Sequence, residues 1–134
     1  MIDLKNLTIE KAHDSLKKGE YTCKDLAEAY LAMVKEKDPS IHAYLEIYDD
    51  VLTQAENSQK MFAEGRDTLL TGIPFSIKDN ILIQGQTVSA GSKILEHYTA
   101  PYNATVIKEL KAAGAVFLGR ANMDEFAMGS STEH

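Results

Sequence analysis

The sequence has little cysteine, no excess of basic residues and no long apolar run. A single cysteine, Cys23, among 134 residues excludes an internal disulfide framework. The net charge is −6 and the acidic residues are scattered, so the basic surface of a nucleic-acid-binding protein is missing. No apolar run approaches the ~20 residues of a membrane span, and the N-terminus lacks the basic and apolar regions of a signal peptide. These absences favour a cytoplasmic protein with no membrane segment.

Metal-binding patterns are also lacking. His13, His42, His97 and His134 stand apart from one another, and none has a second histidine or Cys23 at ligand spacing. Cys23 lies at the predicted start of a helix with no local histidine to activate its thiol, so we interpret it as a packing residue. We expect this chain to bind no metal ion and no cofactor.

The composition is that of one globular domain, with 44% hydrophobic and 25% charged residues and no repeat or low-complexity tract. Residues 1–66 predict a mainly helical cover. Thr8 and Thr22 are predicted N-caps, and the second helix should end before Pro39 because the residue before proline is disfavoured in helical geometry. The predicted elements of this part are helices from Thr8 to Gly19, from Thr22 (with Asp25 as a weak capping box) to Asp38 and from Asp49 or Asp50 to Gly65, and a strand at residues 44–48.

Residues 67–134 predict the strands of a sheet. Residues 73–77 and 115–119 are apolar runs typical of buried strands, and an amphipathic helix lies between them. A strand, a crossover helix and a second strand imply parallel pairing. Ligands of such sheets lie beyond the carboxyl ends of the strands, where Lys78 and the residues after Gly119 fall.

Several side chains in this half are assigned to caps and loops. Asn103 is the predicted N-cap of the crossover helix, and Asn122 with Glu125 predicts a capping box for a last short helix through Met128. The segment at residues 85–101 either lines a pocket or is a loop whose hydroxyl groups satisfy its own backbone. Its small and hydroxyl residues are Thr87, Ser89, Gly91 and Ser92.

Lys78 is the strongest candidate for a catalytic residue in the sequence. A strand that ends on a lysine can aim the amine into a cleft, where desolvation lowers its pKa from about 10.4 toward neutrality and makes it a base. The alternative is a solvated loop lysine beside the carboxylate of Asp79. Because a nearby carboxylate would raise the pKa of the lysine, we expect Asp79 to point away from the ammonium group.

Two motifs give Lys78 a context. GIPFSIKDN at residues 72–80 and GRANMDEFAMGSSTE at residues 119–133 together resemble the amidase signature family over nearly the whole chain. Within the family, the second motif is most similar to the A-subunit branch of glutamyl-tRNA(Gln) and aspartyl-tRNA(Asn) amidotransferases. The resemblance implies an α/β fold in which residues 1–134 form the N-terminal portion of a single amidase domain: helices, then strands of a mixed, largely parallel sheet covered by helices.

The resemblance also implies a Ser–cis-Ser–Lys mechanism of amide hydrolysis. Lys78 matches the catalytic lysine, which accepts a proton from the bridging serine while that serine accepts one from the nucleophile. The positions that match the substrate pocket, where a simple helix-ending turn is the alternative, are Met128, Gly129, Ser130 and Ser131. Both family serines follow the second motif, so the chain resembles an N-terminal fragment with one of three catalytic groups. We expect it to be inactive alone and to self-associate through open apolar faces.

For the A-subunit branch, the resemblance implies that glutamine supplies ammonia. Partner subunits B and C complete the complex, a partner uses ATP and magnesium, and misacylated tRNA is bound through the complex. Two alternatives remain open: a free-standing amidase of the same family and a non-catalytic, amidase-like assembly module. A phosphate-binding domain is disfavoured, because no Gly-x-Gly-x-x-Gly or Gly-x-x-x-x-Gly-Lys-Ser/Thr motif follows a strand.

Overall fold

A computed structural model describes residues 2–132, so Met1, Glu133 and His134 lie outside the described part of the chain. Within residues 2–132, helices and strands alternate in the second half, as the sequence predicts for an α/β fold. The elements are α1 (Ile9–Lys18), α2 (Cys23–Ile41), β1 (Tyr44–Ile47), α3 (Val51–Ala63), β2 (Pro74–Lys78), α4 (Thr105–Ala112) and β3 (Val116–Ala121), with 3₁₀ turns at Lys93–Leu95 and Glu125–Ala127.

The three strands form a mixed sheet in the order β1-β3-β2. β2 and β3 are parallel, which confirms the predicted crossover through α4, and β1 runs antiparallel to β3. The central strand β3 begins with three residues that are at most 3% exposed. β2 lies at the edge, and Ser76 and Lys78 on it are exposed. The prediction of a buried strand is therefore confirmed for β3. It is wrong for one face of β2, because no segment within residues 2–132 covers that face.

The first two helices begin as their capping residues predict. The Thr8 hydroxyl accepts a hydrogen bond from the Lys11 N–H, and Gly19 ends α1 in the left-handed conformation. At the start of α2, Thr22 and Asp25 satisfy each other's backbone N–H groups in a capping box. These local bonds fix the beginnings of both helices without help from distant residues.

The prediction that α2 ends before Pro39 is wrong, because the helix continues through Pro39 to Ile41. The Asp38 carbonyl oxygen accepts a hydrogen bond from His42 N at 2.7 Å, and the Asp38 carboxylate accepts one from Ala43 N at 2.7 Å. These two bonds close the last helical turn around the proline. They outweigh the bias that a proline places on the residue before it.

Helices α2 and α3 pack against each other and against the sheet. Cys23 is fully buried in the core between them, and burial raises the pKa of its thiol to about 11. Gly72, in the left-handed conformation at φ +76°, passes so close that a Cβ there would lie 2.4 Å from the Cys23 sulfur. Cys23 is thus a packing residue, as predicted, and it requires a glycine opposite.

Two predicted caps in the second half are wrong. The Asn103 side-chain oxygen accepts a hydrogen bond from Gln84 N at 2.8 Å, and α4 begins after Ala104 with no side-chain cap. The predicted helix through Met128 is a single 3₁₀ turn, because Asn122 N donates to the Ala43 carbonyl at 2.8 Å instead of to Glu125. In both cases the group expected to cap a helix is hydrogen-bonded to a residue distant in sequence.

Candidate active site at the carboxyl end of the sheet

β2 ends at Lys78, as the sequence predicts. Lys78 pairs with Ala121 on β3, which in turn pairs with Tyr44 on β1. The Tyr44 hydroxyl and the Ser76 hydroxyl are hydrogen-bonded, so these residues share one face of the sheet with Lys78. Lys78 is exposed on that face. Residues 2–132 therefore do not supply the dry pocket expected around a lysine base.

Asp79, the next residue, has the opposite environment. Its side chain is completely buried, and its carboxylate accepts hydrogen bonds from Arg120 Nη1 at 2.8 Å, Ser89 N at 2.9 Å and Gly91 N at 2.8 Å. The Ser89 hydroxyl donates a fourth. Among residues 2–132 the ion pairs of this carboxylate include Arg120 and not Lys78. The carboxylate is thus directed to a partner other than the lysine, in agreement with the expected orientation.

The four donors also decide the ionisation of Asp79. Burial by itself opposes the charged form, but the hydrogen bonds from Arg120, Ser89 and Gly91 outweigh it and hold the pKa of Asp79 below its usual value. Arg120 extends the network to β1, since its Nε lies 3.3 Å from a carboxylate oxygen of Glu46. An ionised Asp79 is therefore a fixed negative centre beneath the end of the sheet.

Sequence reasoning missed this network. It treated Asp79 only as an obstacle to a neutral lysine and gave no role to Arg120. The signal that could have found the pair is the parallel sheet itself, in which Ile77 pairs with Arg120. Residues that follow or end neighbouring parallel strands meet at the same edge, even when 41 residues separate them.

The segment at residues 85–101 combines both of its predicted roles. Ser89 binds Asp79, and the Ser92 hydroxyl donates to the Glu125 carboxylate while it also accepts from Ile94 N. A cleft of about 480 Å³ opens here, and neither Lys78 nor residues 128–131 line it. The residues around the cleft are Leu45, Ser89, Gly91, Ser92, Lys93, Glu96, Asn122 and Glu125.

The predicted substrate residues Met128, Gly129, Ser130 and Ser131 are all exposed. They belong to a loop at residues 124–132, which the Asp124 carboxylate closes by accepting a hydrogen bond from Thr132 N at 2.7 Å. The loop is attached to the neighbouring segment, since Phe126 N donates to the Ala90 carbonyl at 2.8 Å. The structure thus links these residues to the end of β2 through residues 88–92.

His13 is part of a separate cluster of charged and aromatic side chains. His13 lies 3.2 Å from the Asp67 carboxylate, which also pairs with Lys17 at 3.0 Å, and the His13 ring packs against Phe62. Residues 2–132 contain no cluster of three or more histidine, cysteine or acidic side chains able to hold a metal ion. No helix in the same range has the length and apolar character needed to span a bilayer.

Lys78 thus ends a parallel strand on the open face of a mixed α/β sheet. The model of the Amidase family matches residues 25–134, and the chain belongs to this family. The crystal structure of the native peptide amidase from Stenotrophomonas maltophilia superposes with a TM-score of 0.86 at 30% identity, over 92% of this chain and 26% of that one.

More particularly, the chain is similar to proteins named as the A subunit of glutamyl-tRNA(Gln) amidotransferase. The protein from Thermoanaerobacter pseudethanolicus is 44% identical over 134 residues, which are 99% of this chain and 28% of that protein. The crystal structure of the Thermotoga maritima protein of the same name superposes with a TM-score of 0.75 at 37% identity, over 99% of this chain and 27% of that one. The chain thus spans little more than a quarter of these relatives.

Proposed function

We propose that this chain is the N-terminal part of the glutamine-hydrolysing subunit of a tRNA-dependent amidotransferase. The observation that carries the proposal is the place of Lys78: the last residue of a parallel strand, on a sheet face that residues 2–132 leave open. Similarity to amidotransferase A subunits over nearly the whole chain supports the choice of glutamine as the amide. The rest of the family domain would then cover this face and bring the hydroxyl groups with which the lysine works.

In this proposal the uncharged Lys78 Nζ accepts a proton from a bridging serine, which accepts one from a serine nucleophile. The nucleophile attacks the side-chain amide carbon of glutamine, ammonia leaves, and water later hydrolyses the acyl-enzyme. Both serines lie outside this chain, which on its own is inactive. Met128, Gly129, Ser130 and Ser131 contribute backbone and hydroxyl groups to the glutamine pocket.

The proposed setting of the reaction is a complex with subunits B and C in the cytoplasm. A partner subunit uses ATP and magnesium to activate glutamate on misacylated tRNA, and the ammonia amidates it. The net charge of −6 fits an arrangement in which the tRNA is held by a partner rather than by this chain.

The test is Lys78→Ala in the full-length protein that carries this chain, with ammonia release from glutamine as the measurement. Loss of a general base should lower kcat by roughly 10²- to 10⁴-fold. Lys24→Ala is the matched control, because Lys24 is also an exposed lysine but its ion partner is Glu56 on α3. Glutaminase activity that survives Lys78→Ala would refute the proposal and favour a non-catalytic assembly module.

A second candidate is a free-standing amidase. It is favoured by the higher TM-score with the peptide amidase, 0.86 against 0.75 for the amidotransferase protein. Two measurements separate the candidates. Co-purification with two companion subunits and preference for glutamine support the amidotransferase, whereas a solitary protein that prefers peptide amides supports the amidase.

A further inference from the structure

Both the side chain and the backbone of Asp79 are bonded to neighbouring segments of the candidate site. Four donors converge on its two carboxylate oxygens, from Ser89, Gly91 and Arg120. Its backbone is fixed as well, because Asp79 N donates to the Ala121 carbonyl at 3.1 Å and its own carbonyl accepts from Ala90 N at 2.9 Å. The backbone of the residue that follows Lys78 is therefore bonded to β3 through its N–H and to the 88–92 segment through its carbonyl.

The 88–92 segment is in turn bonded to the 124–132 loop by two contacts. Phe126 N donates to the Ala90 carbonyl, and the Ser92 hydroxyl donates to Glu125. Ala90 and Phe126 both have left-handed backbone conformations, at φ 50°, which cost energy in residues that carry a Cβ. Such conformations persist where surrounding contacts hold them. Here the hydrogen bonds of Asp79 to the 88–92 segment are among those contacts.

We propose that Asp79 is a positioning residue, which holds Lys78 and residues 128–131 in a fixed spatial relation through the 88–92 segment. The inference rests on the proposed function of those residues as base and substrate pocket. Asp79 itself touches no reacting atom, since its side chain is completely buried under Arg120 and Ser89. Its charge matters because two oxygens that only accept can serve four donors.

Asp79→Asn is the sharpest variant, because it keeps the shape and replaces one accepting oxygen by an NH₂ group that faces donors. Asp67→Asn is the matched control: the Asp67 carboxylate is nearly buried and contacts two side chains of α1, His13 and Lys17. Both variants are made in the full-length protein, and hydrogen exchange is followed in peptides covering residues 86–95 and 122–132. Asp79→Asn should speed exchange about tenfold in both peptides, and Asp67→Asn should change neither.

Steady-state kinetics with glutamine provide the second readout. Misplacement by about 1 Å can cost roughly 10²-fold in rate, so kcat per folded molecule should fall by that order in Asp79→Asn while KM rises. A general loss of folded enzyme would lower kcat and leave KM unchanged, which separates positioning from a merely structural role. Asp67→Asn should keep both parameters within about twofold of the parent.

Ser89→Ala and Ser92→Ala make the test independent of whether Asp79→Asn folds. Ser89→Ala removes one donor from Asp79 and should loosen both peptides, whereas Ser92→Ala removes one bond between the loops and should loosen residues 122–132. Unchanged exchange at residues 122–132 in all three variants would overturn the inference. If exchange responds as expected but Lys78→Ala stays active, the coupling stands and the proposed function fails.

Discussion

Two regions of the chain meet at the end of the sheet and differ in how completely their groups are paired. The closed region consists of the core beneath α2 and α3 together with Asp79, where apolar side chains are buried and the carboxylate has four donors. The open region consists of the half-buried Tyr44 together with Ser76, Lys78 and residues 126–132, which are exposed. Lys78 and Asp79 are neighbours in sequence, yet they lie on opposite sides of this division.

The closed region therefore contributes mainly to the stability of the fold, and the open region carries the candidate catalytic and substrate residues. Residues of the closed region are already in their final environment, so their substitution should be felt as a loss of folding free energy. Residues of the open region make few contacts within residues 2–132, so their substitution should leave folding intact. It should instead affect the contacts between this face and the part of the protein that covers it. The predictions below test this division, starting from the largest expected change in stability.

The largest change is expected for Leu26→Ala in the closed region. Leu26 is completely buried between α2 and the sheet, and removing its side chain should cost about 3 kcal/mol of unfolding free energy through lost burial and a residual cavity. Urea denaturation measures the change. Ile94→Ala is the control, because Ile94 is 81% exposed. Equal losses for the two variants would contradict the division.

Gly72→Ala should cost about 2 kcal/mol, because the new Cβ meets the Cys23 sulfur and the backbone has positive φ. Gly65→Ala isolates the conformational part, since Gly65 has φ +66° but no atom lies within 4 Å of the place that a Cβ would take. Urea midpoints of the two variants should therefore differ by the cost of the clash. Gly72→Ala should therefore cost less when it is added to Cys23→Ala than when it is added to the parent. An equal cost in both backgrounds would place the effect in backbone strain and the Leu16 contact instead of at the sulfur.

Asp79→Asn should cost about 1 to 2 kcal/mol at neutral pH, the difference between charge-assisted and neutral hydrogen bonds. The pKa of Asp79 is lower in the folded protein than its usual value, so its contribution is present above the unfolded pKa and is lost as pH falls through the folded one. The stabilities of the parent and the variant should begin to approach each other below about pH 4, the usual pKa of an aspartate, and should converge only below the folded pKa. Urea midpoints of the parent and the variant are compared at pH 7 and at pH 3. A difference of the same size at both pH values would show that the stabilisation does not come from the ionised Asp79 carboxylate.

The sequence predicts the features that depend on neighbours along the chain. The caps at Thr8 and Thr22, the end of β2 at Lys78 and the buried strand β3 all follow from local spacing and are confirmed. The same reasoning fails where a distant partner competes for a local group. Asn103 bonds to Gln84 rather than to its own helix.

The candidate site divides in the same way. The placement of Lys78 follows from the end of an apolar run, but its exposure depends on what packs against the sheet face, which spacing does not encode. The bond between Asp79 and Arg120 joins residues 41 positions apart and becomes visible only once the strands are paired in register. Short-range sequence patterns therefore predict where Lys78 lies, whereas the ion pair between Asp79 and Arg120 can be predicted only from the pairing of the strands.

The smallest effect on folding is expected in the open region, for Lys78→Ala and Met128→Ser. Both side chains are exposed, Met128 by 80%, and each change should alter the unfolding free energy of this chain by no more than about 0.5 kcal/mol. The same changes can still alter association, because exposed apolar groups and uncovered sheet edges both favour it. We expect this chain to self-associate, and Met128→Ser to weaken association while Lys78→Ala does not. Light scattering over a concentration series measures this; a parent chain that stays monomeric at high concentration would show that the open face needs no cover.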